Sequence, residues 1–288
     1  MNNTTFFAYA RRAPFGGRLS TSQVAGMEAI LAEAYKRGTP DQHLAYMLAT
    51  AFHETGGKMQ PVEENLNYSA ARIRQVWPTR FASVAAAKPY ARNPRALANK
   101  VYGGRQGNDT KEDGYRFRGR GLPQITFRDN YRKFGIEANP EKALELATAV
   151  HILFDGMTKG MFTTARLDQY FGAGKEDPVG ARAIVNGTDK ATLIAGYYKN
   201  FLDSIVAARD VKTKDVVAEA AKPDDVPAGE SKSLMAIGSG LVTSGGLAAF
   251  TGGPWGFAAL ALLLAVGGIG LWLVMSGRVE IKRIKEAL

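Results

Sequence analysis

Residues 39–57 read TPDQHLAYMLATAFHETGG, and this stretch decides how the chain folds. A capping box opens it, with Thr39 as N-cap, proline at the first helical position and glutamine at the third. Apolar residues then recur at the spacing of a buried helix face, at Leu44, Met47, Leu48 and Ala51. The pair Gly56-Gly57 ends the pattern. The sequence therefore predicts a sharply bounded helix whose last turn holds Glu54.

Helical patterns continue on both sides of this helix. The preceding helix is predicted to begin at Ser20 or Thr21 as N-cap and to stop at Gly38. Strand patterns are sparse and short. Further helical patterns cover residues 68–77, 94–101, 140–161 and 191–208. We predict a mainly α-helical domain over residues 1–209.

Length and composition limit the possible classes of protein. The chain has 288 residues, which fits one globular domain of roughly 200 residues plus further segments. Its net charge of +10 favours an acidic partner, whether nucleic acid, an anionic membrane face or an anionic cell-wall polymer. The absence of cysteine excludes disulfides and cysteine-based zinc sites.

The C-terminal part of the sequence changes in character. Residues 210–233 are rich in Lys, Asp, Glu, Ala and Pro and are typical of a flexible linker. Residues 255–275 are apolar, long enough to cross a bilayer, and carry a tryptophan near each end. We predict one transmembrane helix or a hairpin within 234–277, with any hairpin turning at 251–254. A basic tail, 278–288, follows.

The two membrane topologies imply different locations for the helical domain. A single span with the basic tail inside places the domain on the outer side of a bacterial inner membrane, in the periplasm. A hairpin leaves the domain in the cytoplasm, so its action on the wall would wait for membrane disruption, for example by a holin. The N-terminal residues 1–17 lack the apolar region of a secretory signal.

Glu54 is the first candidate for chemistry. The helix macrodipole is negative at its C-terminal turn, which disfavours a charged carboxylate and favours the protonated form that a general acid needs. A solvated glutamate at a helix end is the alternative. His53-Glu54 resembles the start of a zinc-protease motif, but Gly57 stands where the second histidine is needed, so no metal site is predicted. Glu63 and Glu64 follow closely, and two carboxyls are what glycoside hydrolysis uses.

A second polar stretch covers residues 115–131, YRFRGRGLPQITFRDNY. Its glycines allow a ligand to approach the backbone, and its arginines, amides and aromatic rings are groups that bind sugars. The same arginines and aromatics are also typical of a nucleic-acid surface. Charge and aromatic content do not separate these two interpretations.

Several motifs in order along the chain resemble glycoside hydrolase family 19, and most closely its phage endolysin branch. They are HETGG at 53–57, EENLNYSA at 63–70, GRG at 119–121, PQIT at 123–126 and Asn130-Tyr131, supported by YGGRQGN at 102–108 and VNG at 185–187. The resemblance covers residues 20–202. It implies a lysozyme-like, two-lobed helical fold around a cleft.

The resemblance also implies roles for individual residues. The reaction would be inverting hydrolysis of a β-1,4 bond next to an N-acetylated amino sugar, without a metal or organic cofactor. Glu54 matches the general acid, Glu63 the general base, with Glu64 as the second choice, and Thr126 the hydroxyl that positions water. Sugar-binding side chains would be Gln124, Asn130 and Asn186, with Tyr115 and Arg120 lining the cleft.

The sequence departs from plant chitinases in lacking their disulfides and in placing Leu122 before Pro123. This favours peptidoglycan glycan strands as the substrate, and the resemblance to the endolysin branch implies a phage or prophage origin. Three alternatives remain open: a chitinase acting on chitin oligomers, a non-catalytic wall-binding module of the same fold, and a membrane-anchored nucleic-acid-binding protein. The retained Glu54 and Glu63 argue against the second, and nucleic acid is the least expected partner.

Overall fold

The computed structural model describes residues 1–210, and most of this part of the chain is helical. The α-helices are α1 Asn3–Arg12, α2 Thr21–Arg37, α3 Asp41–Glu54, α4 Ala70–Val76, α5 Val84–Ala87, α6 Pro94–Tyr102, α7 Asp113–Arg116, α8 Arg128–Lys133, α9 Leu146–Lys159 and α10 Ala191–Asp210. Short 3₁₀ turns cover Lys88–Tyr90, Pro140–Leu144, Leu167–Gln169 and Gly180–Ile184. The prediction of a mainly α-helical domain is confirmed.

Four two-residue strands form two small antiparallel sheets. The strands are β1 Val62–Glu63, β2 Arg120–Gly121, β3 Phe171–Gly172 and β4 Lys175–Glu176. In the first sheet Glu63 pairs with Arg120, and in the second Phe171 pairs with Glu176. The first sheet joins two segments far apart in sequence and therefore positions the polar stretch against the loop that follows α3.

Asp210, the first residue of the predicted linker, ends α10. The rest of the predicted linker, the membrane segments and the basic tail lie outside the described residues. Among residues 1–210, no helix combines the length and the apolar character needed to cross a membrane.

Helix α3 is surrounded by other helices. All eight residues from Leu44 to Ala51 are buried, as expected of a helix that is apolar on every side. It contacts α2, α9 and α10, while α1 packs against α10. At its start Asp41 accepts a hydrogen bond from Arg209 of α10, with a nitrogen–oxygen distance of 2.7 Å. These contacts fix where α3 ends, and thus where Glu54 lies.

Two smaller apolar clusters accompany the main core. One joins α4, α5 and α6 through Leu66, Ile73, Phe81, Ala87, Leu97, Ala98 and Val101. The other lies beneath the polar stretch and consists of Phe117, Ile125, Tyr131, Ile136, Ala143 and Ile152. Each cluster holds one group of short elements together, since such elements bury too little surface to be stable alone.

The predicted limits of α2 are confirmed, but the capping box of α3 is wrong. Ser20 caps α2, and Gly38 ends it in the left-handed conformation with φ of 62°. The backbone N–H of Thr39 donates to Ala34 and so helps to close α2. Pro40 therefore takes the N-cap position of α3, without a side-chain capping bond.

The helix predicted over 140–161 is broken at Glu145, whose backbone is extended with φ of −76° and ψ of 127°. The 3₁₀ turn before the break buries Pro140 and Ala143 and contacts β2. Helix α9 after the break packs instead on α2 and α3. One straight helix could not make both sets of contacts, which is why tertiary packing overrides the local pattern.

Helix α2 holds the turn that follows Glu54. Gln23 donates to the carbonyl oxygen of Gly57 at 2.9 Å, and Gln60 donates to that of Ser22 at 2.6 Å. Between these two bonds, a Cβ atom placed on Gly26 would lie 1.7 Å from the carbonyl oxygen of Met59. Gly26 is therefore required for the close approach of helix and turn.

We expect Gly26→Ala to lower the free energy of unfolding by about 1–3 kcal/mol, because the methyl group forces the turn away from α2. Gly196→Ala is the matched control, since nothing lies within 4 Å of its Cβ position on α10. It should raise stability by about 0.5–1 kcal/mol through helix propensity. Urea unfolding followed by circular dichroism measures both. Equal effects of the two substitutions would contradict the close contact.

Candidate active site

A polar cavity of about 430 Å³ opens beside the end of α3. It brings together five of the residues that the sequence singled out: Glu54, Gln124, Thr126, Asn130 and Asn186. Its other lining residues are Tyr102, Gln106, Pro123, Ile125, Phe127, Phe162, Thr163 and Val185. The cavity therefore has one carboxyl at its edge and hydroxyl, amide and aromatic groups around it.

Glu54 reaches the cavity because α3 ends abruptly. Gly56 and Gly57 adopt φ angles of 58° and 80°, which favour glycine and turn the chain back toward β1. The hydroxyl of Thr55 donates to Ala51 at 2.7 Å and accepts from the backbone of Met59 at 3.0 Å. Glu54 is thus the last helical residue and is held by a hydrogen-bonded turn.

Arg182 forms an ion pair with Glu54 that sequence reasoning missed. Its Nη1 lies 2.7 Å from Oε1 of Glu54, and its Nε donates to the carbonyl oxygen of Asp189 at 2.9 Å. The Arg182 side chain is only 3% exposed, so water screens the pair weakly. The pair places a positive charge beside the carboxylate at the negative end of the helix. The chain holds 37 Lys and Arg residues, and no local pattern distinguishes this one.

Two further lining residues have left-handed backbones, Gln124 with φ of 56° and Phe127 with φ of 75°. The side-chain amide of Gln124 donates to Val62 at 2.7 Å and to Gly121 at 2.9 Å. This amide therefore ties β1 to β2 and leaves only its oxygen for a ligand.

Thr126, Asn130 and Asn186 complete the polar lining. The amide nitrogen of Asn130 donates to the carbonyl oxygen of Thr126 at 2.7 Å, which supports the loop. The Thr126 hydroxyl makes only a long contact of 3.4 Å with the carbonyl oxygen of Gln124, so it can readily exchange that partner for water. Within residues 1–210, the Asn186 side chain has no hydrogen-bond partner.

Glu63 lies outside the cavity lining and is committed to two arginines. Its two carboxylate oxygens each lie 2.7 Å from a guanidinium nitrogen, one from Arg118 and one from Arg120. Burial by itself raises the pKa of Glu63, but the hydrogen bonds and charges of the two arginines outweigh burial and hold its pKa below the usual value. The arrangement is that of a structural ion pair.

Arg120 and Tyr115 also lie outside the cavity lining. Arg120 is 1% exposed and donates to the carbonyl oxygen of Arg116 at 2.7 Å, beneath the sheet. The guanidinium of Arg118 stacks on the Tyr115 ring, with 3.8 Å between the guanidinium carbon and the ring centre. Both residues support the loop that forms the wall, where the sequence had predicted direct lining of the cleft.

Glu64 points away from its neighbour, as successive residues do in extended chain. Its Oε1 accepts from the hydroxyl of Tyr102 at 2.6 Å, and its Oε2 accepts from the backbone N–H of Gly119 at 3.3 Å. Burial raises the pKa of Glu64, and these two hydrogen bonds offset part of the rise. Since Tyr102 lines the cavity, Glu64 lies one hydrogen bond behind the cavity wall.

The histidines do not assemble a metal site in the part of the chain that is described. No group of three His, Asp or Glu side chains there has a ligating arrangement. Burial lowers the pKa of His53, and the nearby charge of Glu54 partly offsets this. The His53 ring centre lies 6.4 Å from that of Tyr197.

Comparison with known proteins points to the class of protein with this kind of site. A 121-residue stretch of the chain is 40% identical to a "Glycosyl hydrolase family 19 domain-containing protein" of Haemophilus influenzae. The match covers 40% of this chain and 60% of that relative. No family model matches the chain. The resemblance to glycoside hydrolase family 19 is confirmed by this relative, although the chain spans less than two thirds of its length.

The two arginine contacts predict how Glu63 affects stability. A lowered pKa means that Glu63 stabilises the fold above its ordinary pKa of 4.5, and that this contribution is lost as the pH falls through the folded-state value. We expect Glu63→Gln to lower stability at neutral pH by about 1 kcal/mol, a modest figure because the carboxyl is more than one third exposed. The difference from wild type should shrink in acid.

Urea unfolding at a series of pH values measures this difference. Glu28→Gln serves as the control, since Glu28 is exposed and forms no salt bridge among residues 1–210. A constant difference at every pH would show that Glu63 does not act through its charge.

Proposed function

We propose that the chain is a peptidoglycan glycosidase that hydrolyses β-1,4 bonds between N-acetylated amino sugars with inversion. The observation that carries the proposal is that Glu54 lines a polar cavity together with Thr126 and Asn130. The named relative supports a glycoside hydrolase of family 19. A lysozyme-like, two-lobed arrangement around this cavity is part of the same proposal.

Glu54 acts as the general acid in this proposal. Arg182 binds its Oε1, which leaves Oε2 to carry a proton to the leaving oxygen. After that transfer the carboxylate is charged, and the guanidinium stabilises the charge in a buried setting. Arg182 thus orients the carboxyl and favours its state after proton transfer.

The structure favours Glu64 over Glu63 as the general base, which reverses the preference drawn from the sequence. Both oxygens of Glu63 are paired with charged arginines, whereas those of Glu64 accept from neutral donors, and the lowered pKa of Glu63 makes it a weak base. The raised pKa of Glu64 makes its carboxylate a better proton acceptor near neutral pH. Tyr102 connects Glu64 to the cavity: its hydroxyl would pass its proton to Glu64 and take one from the attacking water, which the Thr126 hydroxyl would position.

An inverting reaction needs room for water between the two carboxyls, which are about 6.5–9.5 Å apart in such enzymes. In the cavity, that water would lie between the sugar and the wall formed by Tyr102 and Thr126. The free oxygen of Gln124 and the Asn186 side chain would bind the acetamido and hydroxyl groups of the sugars. No step requires a metal or cofactor.

We further propose a membrane-anchored enzyme that acts on the wall from the periplasmic side. The apolar residues 255–275 and the basic tail after them support this topology. A hairpin, with release through a holin, is the competing topology. Phage or prophage origin rests on the resemblance to the endolysin branch, and chitin oligomers are the competing substrate.

Variants of the three carboxyls test the chemistry. The full chain in non-ionic detergent is incubated with purified murein, and the released fragments are identified by mass spectrometry. We expect Glu54→Gln and Glu64→Gln each to lose at least about 100-fold in rate, since each removes a proton-transfer group. Glu63→Gln should stay within about threefold at a temperature where it is folded.

The stereochemistry of the product is a second readout. NMR of the first-formed reducing end should show the α anomer, because inversion of a β bond yields it. A large loss in Glu63→Gln with activity retained in Glu64→Gln would restore Glu63 as the base. Intact murein with the wild-type chain, alongside cleaved chitin oligomers, would replace the proposed substrate.

A further inference from the structure

Positive charge is concentrated in one part of the domain. Residues 69–111, which include α4, α5 and α6, contain nine Lys and Arg residues and a single acidic residue, Asp109. The whole chain carries a net charge of +10, so this segment accounts for most of it. Such a density of like charge repels itself unless an anionic partner is bound.

Most of these side chains are exposed and not engaged in ion pairs among residues 1–210. We define the basic face as the exposed residues Arg72, Arg80, Lys88, Arg92, Lys100, Arg105 and Lys111. None of them forms a salt bridge with a carboxylate among residues 1–210, whereas the neighbouring Arg95 lies 2.9 Å from Glu112. Their charges are therefore not neutralised by the described part of the chain.

The basic face adjoins the cavity that contains Glu54. Helix α6 ends at Tyr102, and Gln106 follows closely in the chain, and both residues line the cavity. Arg105 lies between them in sequence, with its guanidinium carbon 5.1 Å from the centre of the Phe127 ring, another lining group. A polymer held in the cavity could thus extend over the basic face.

The basic face lacks the aromatic groups that a single-stranded nucleic acid would use. Tyr68, Trp77 and Tyr90 are only partly exposed, because each packs against the apolar cluster of α4–α6. Sequence-tolerant binding of single strands depends on stacking as well as charge. Exposed charge beside a cleft, with aromatic rings that are only partly exposed, fits a polymer that carries discrete anionic groups beside its sugars.

We propose that the basic face binds the carboxylates of the peptides attached to a peptidoglycan strand while its sugars occupy the cavity. This inference rests on the proposed function, and it makes the basic face the part of the protein that selects the substrate. A neutral polymer of N-acetylglucosamine has no carboxylates, so the basic face distinguishes peptide-bearing strands from chitin. The contacts weaken as salt is added, because the charges are exposed.

Neutralising the basic face tests the proposal. The test variant is the full-length triple substitution Arg80→Gln, Lys88→Gln and Lys100→Gln, none of which touches the cavity. The matched control, Arg11→Gln, Arg18→Gln and Lys199→Gln, removes the same charge from exposed positions elsewhere. Circular dichroism and urea unfolding establish that both variants are folded.

Two kinetic substrates separate the roles of charge and catalysis. On peptide-bearing murein strands at low salt, we expect the test variant to raise the half-saturating concentration about fivefold to tenfold, from the loss of three exposed ion pairs. The maximal rate should be unchanged. On neutral chitin oligomers, and for the control on both substrates, changes should stay within about twofold.

Binding gives a readout that does not require turnover. Binding to intact sacculi is measured by co-sedimentation, with Glu54→Gln added to the wild-type chain, the test variant and the control so that the sacculi are not degraded. The bound fraction should fall in the test variant and with rising salt. Equal weakening in the control, or a test variant that binds sacculi normally, would overturn the proposal. Duplex DNA bound more tightly than sacculi, and lost in the test variant, would assign the face to nucleic acid instead. Binding as expected without hydrolysis by wild type would refute the proposed function alone.

Discussion

The burial of helix α3 is the constraint on which the rest of the described structure depends. Because all residues from Leu44 to Ala51 are covered, the helix cannot rotate or slide without exposing apolar surface. Its position therefore fixes Glu54 at its end. The contacts of α2 with the following turn then fix the direction in which the chain returns to β1. The buried helix thus holds the Glu54 carboxyl at its C-terminal end, beside the cavity.

The ion pair of Glu54 with Arg182 and that of Glu63 with two arginines use the same chemistry for different purposes. Arg182 is almost wholly buried and pairs with one oxygen of Glu54, which lines the cavity. Arg118 and Arg120 occupy both oxygens of Glu63 and join β1 to the polar stretch. Glu64 differs from both, because both of its oxygens accept hydrogen bonds but neither donor is charged. Its negative charge is therefore stabilised without being neutralised by an ion pair. In the proposed mechanism, the number and charge of the partners separate a structural carboxyl from a reactive one.

Local signals in the sequence predicted much of the helical framework. The cap residues of α2 and the two glycines after Glu54 set the backbone conformation of residues only a few positions away. The ends of these helices can therefore be predicted from the local sequence. The resemblance to a known family, and no physical pattern, pointed to Thr126, Asn130 and Asn186. Arg182 was missed because it meets Glu54 across 128 positions of chain. The break at Glu145 was missed because packing on β2 decides it. A strand of two residues is too short to show which of Glu63 and Glu64 faces inward.

The opposite directions of Glu63 and Glu64 have an evolutionary consequence. Successive residues of a strand face opposite ways. Inserting or deleting one residue between Gly57 and β1 would therefore exchange the roles of the two carboxyls, so that the one now paired with arginines would face Tyr102 and the other would face the arginines. The length of this loop therefore decides, together with the identity of the carboxyls, which of the two side chains pairs with the arginines. Among relatives with a different loop length, the reactive carboxyl should be assigned from its side-chain partners, since counting positions from the first glutamate would select the wrong neighbour.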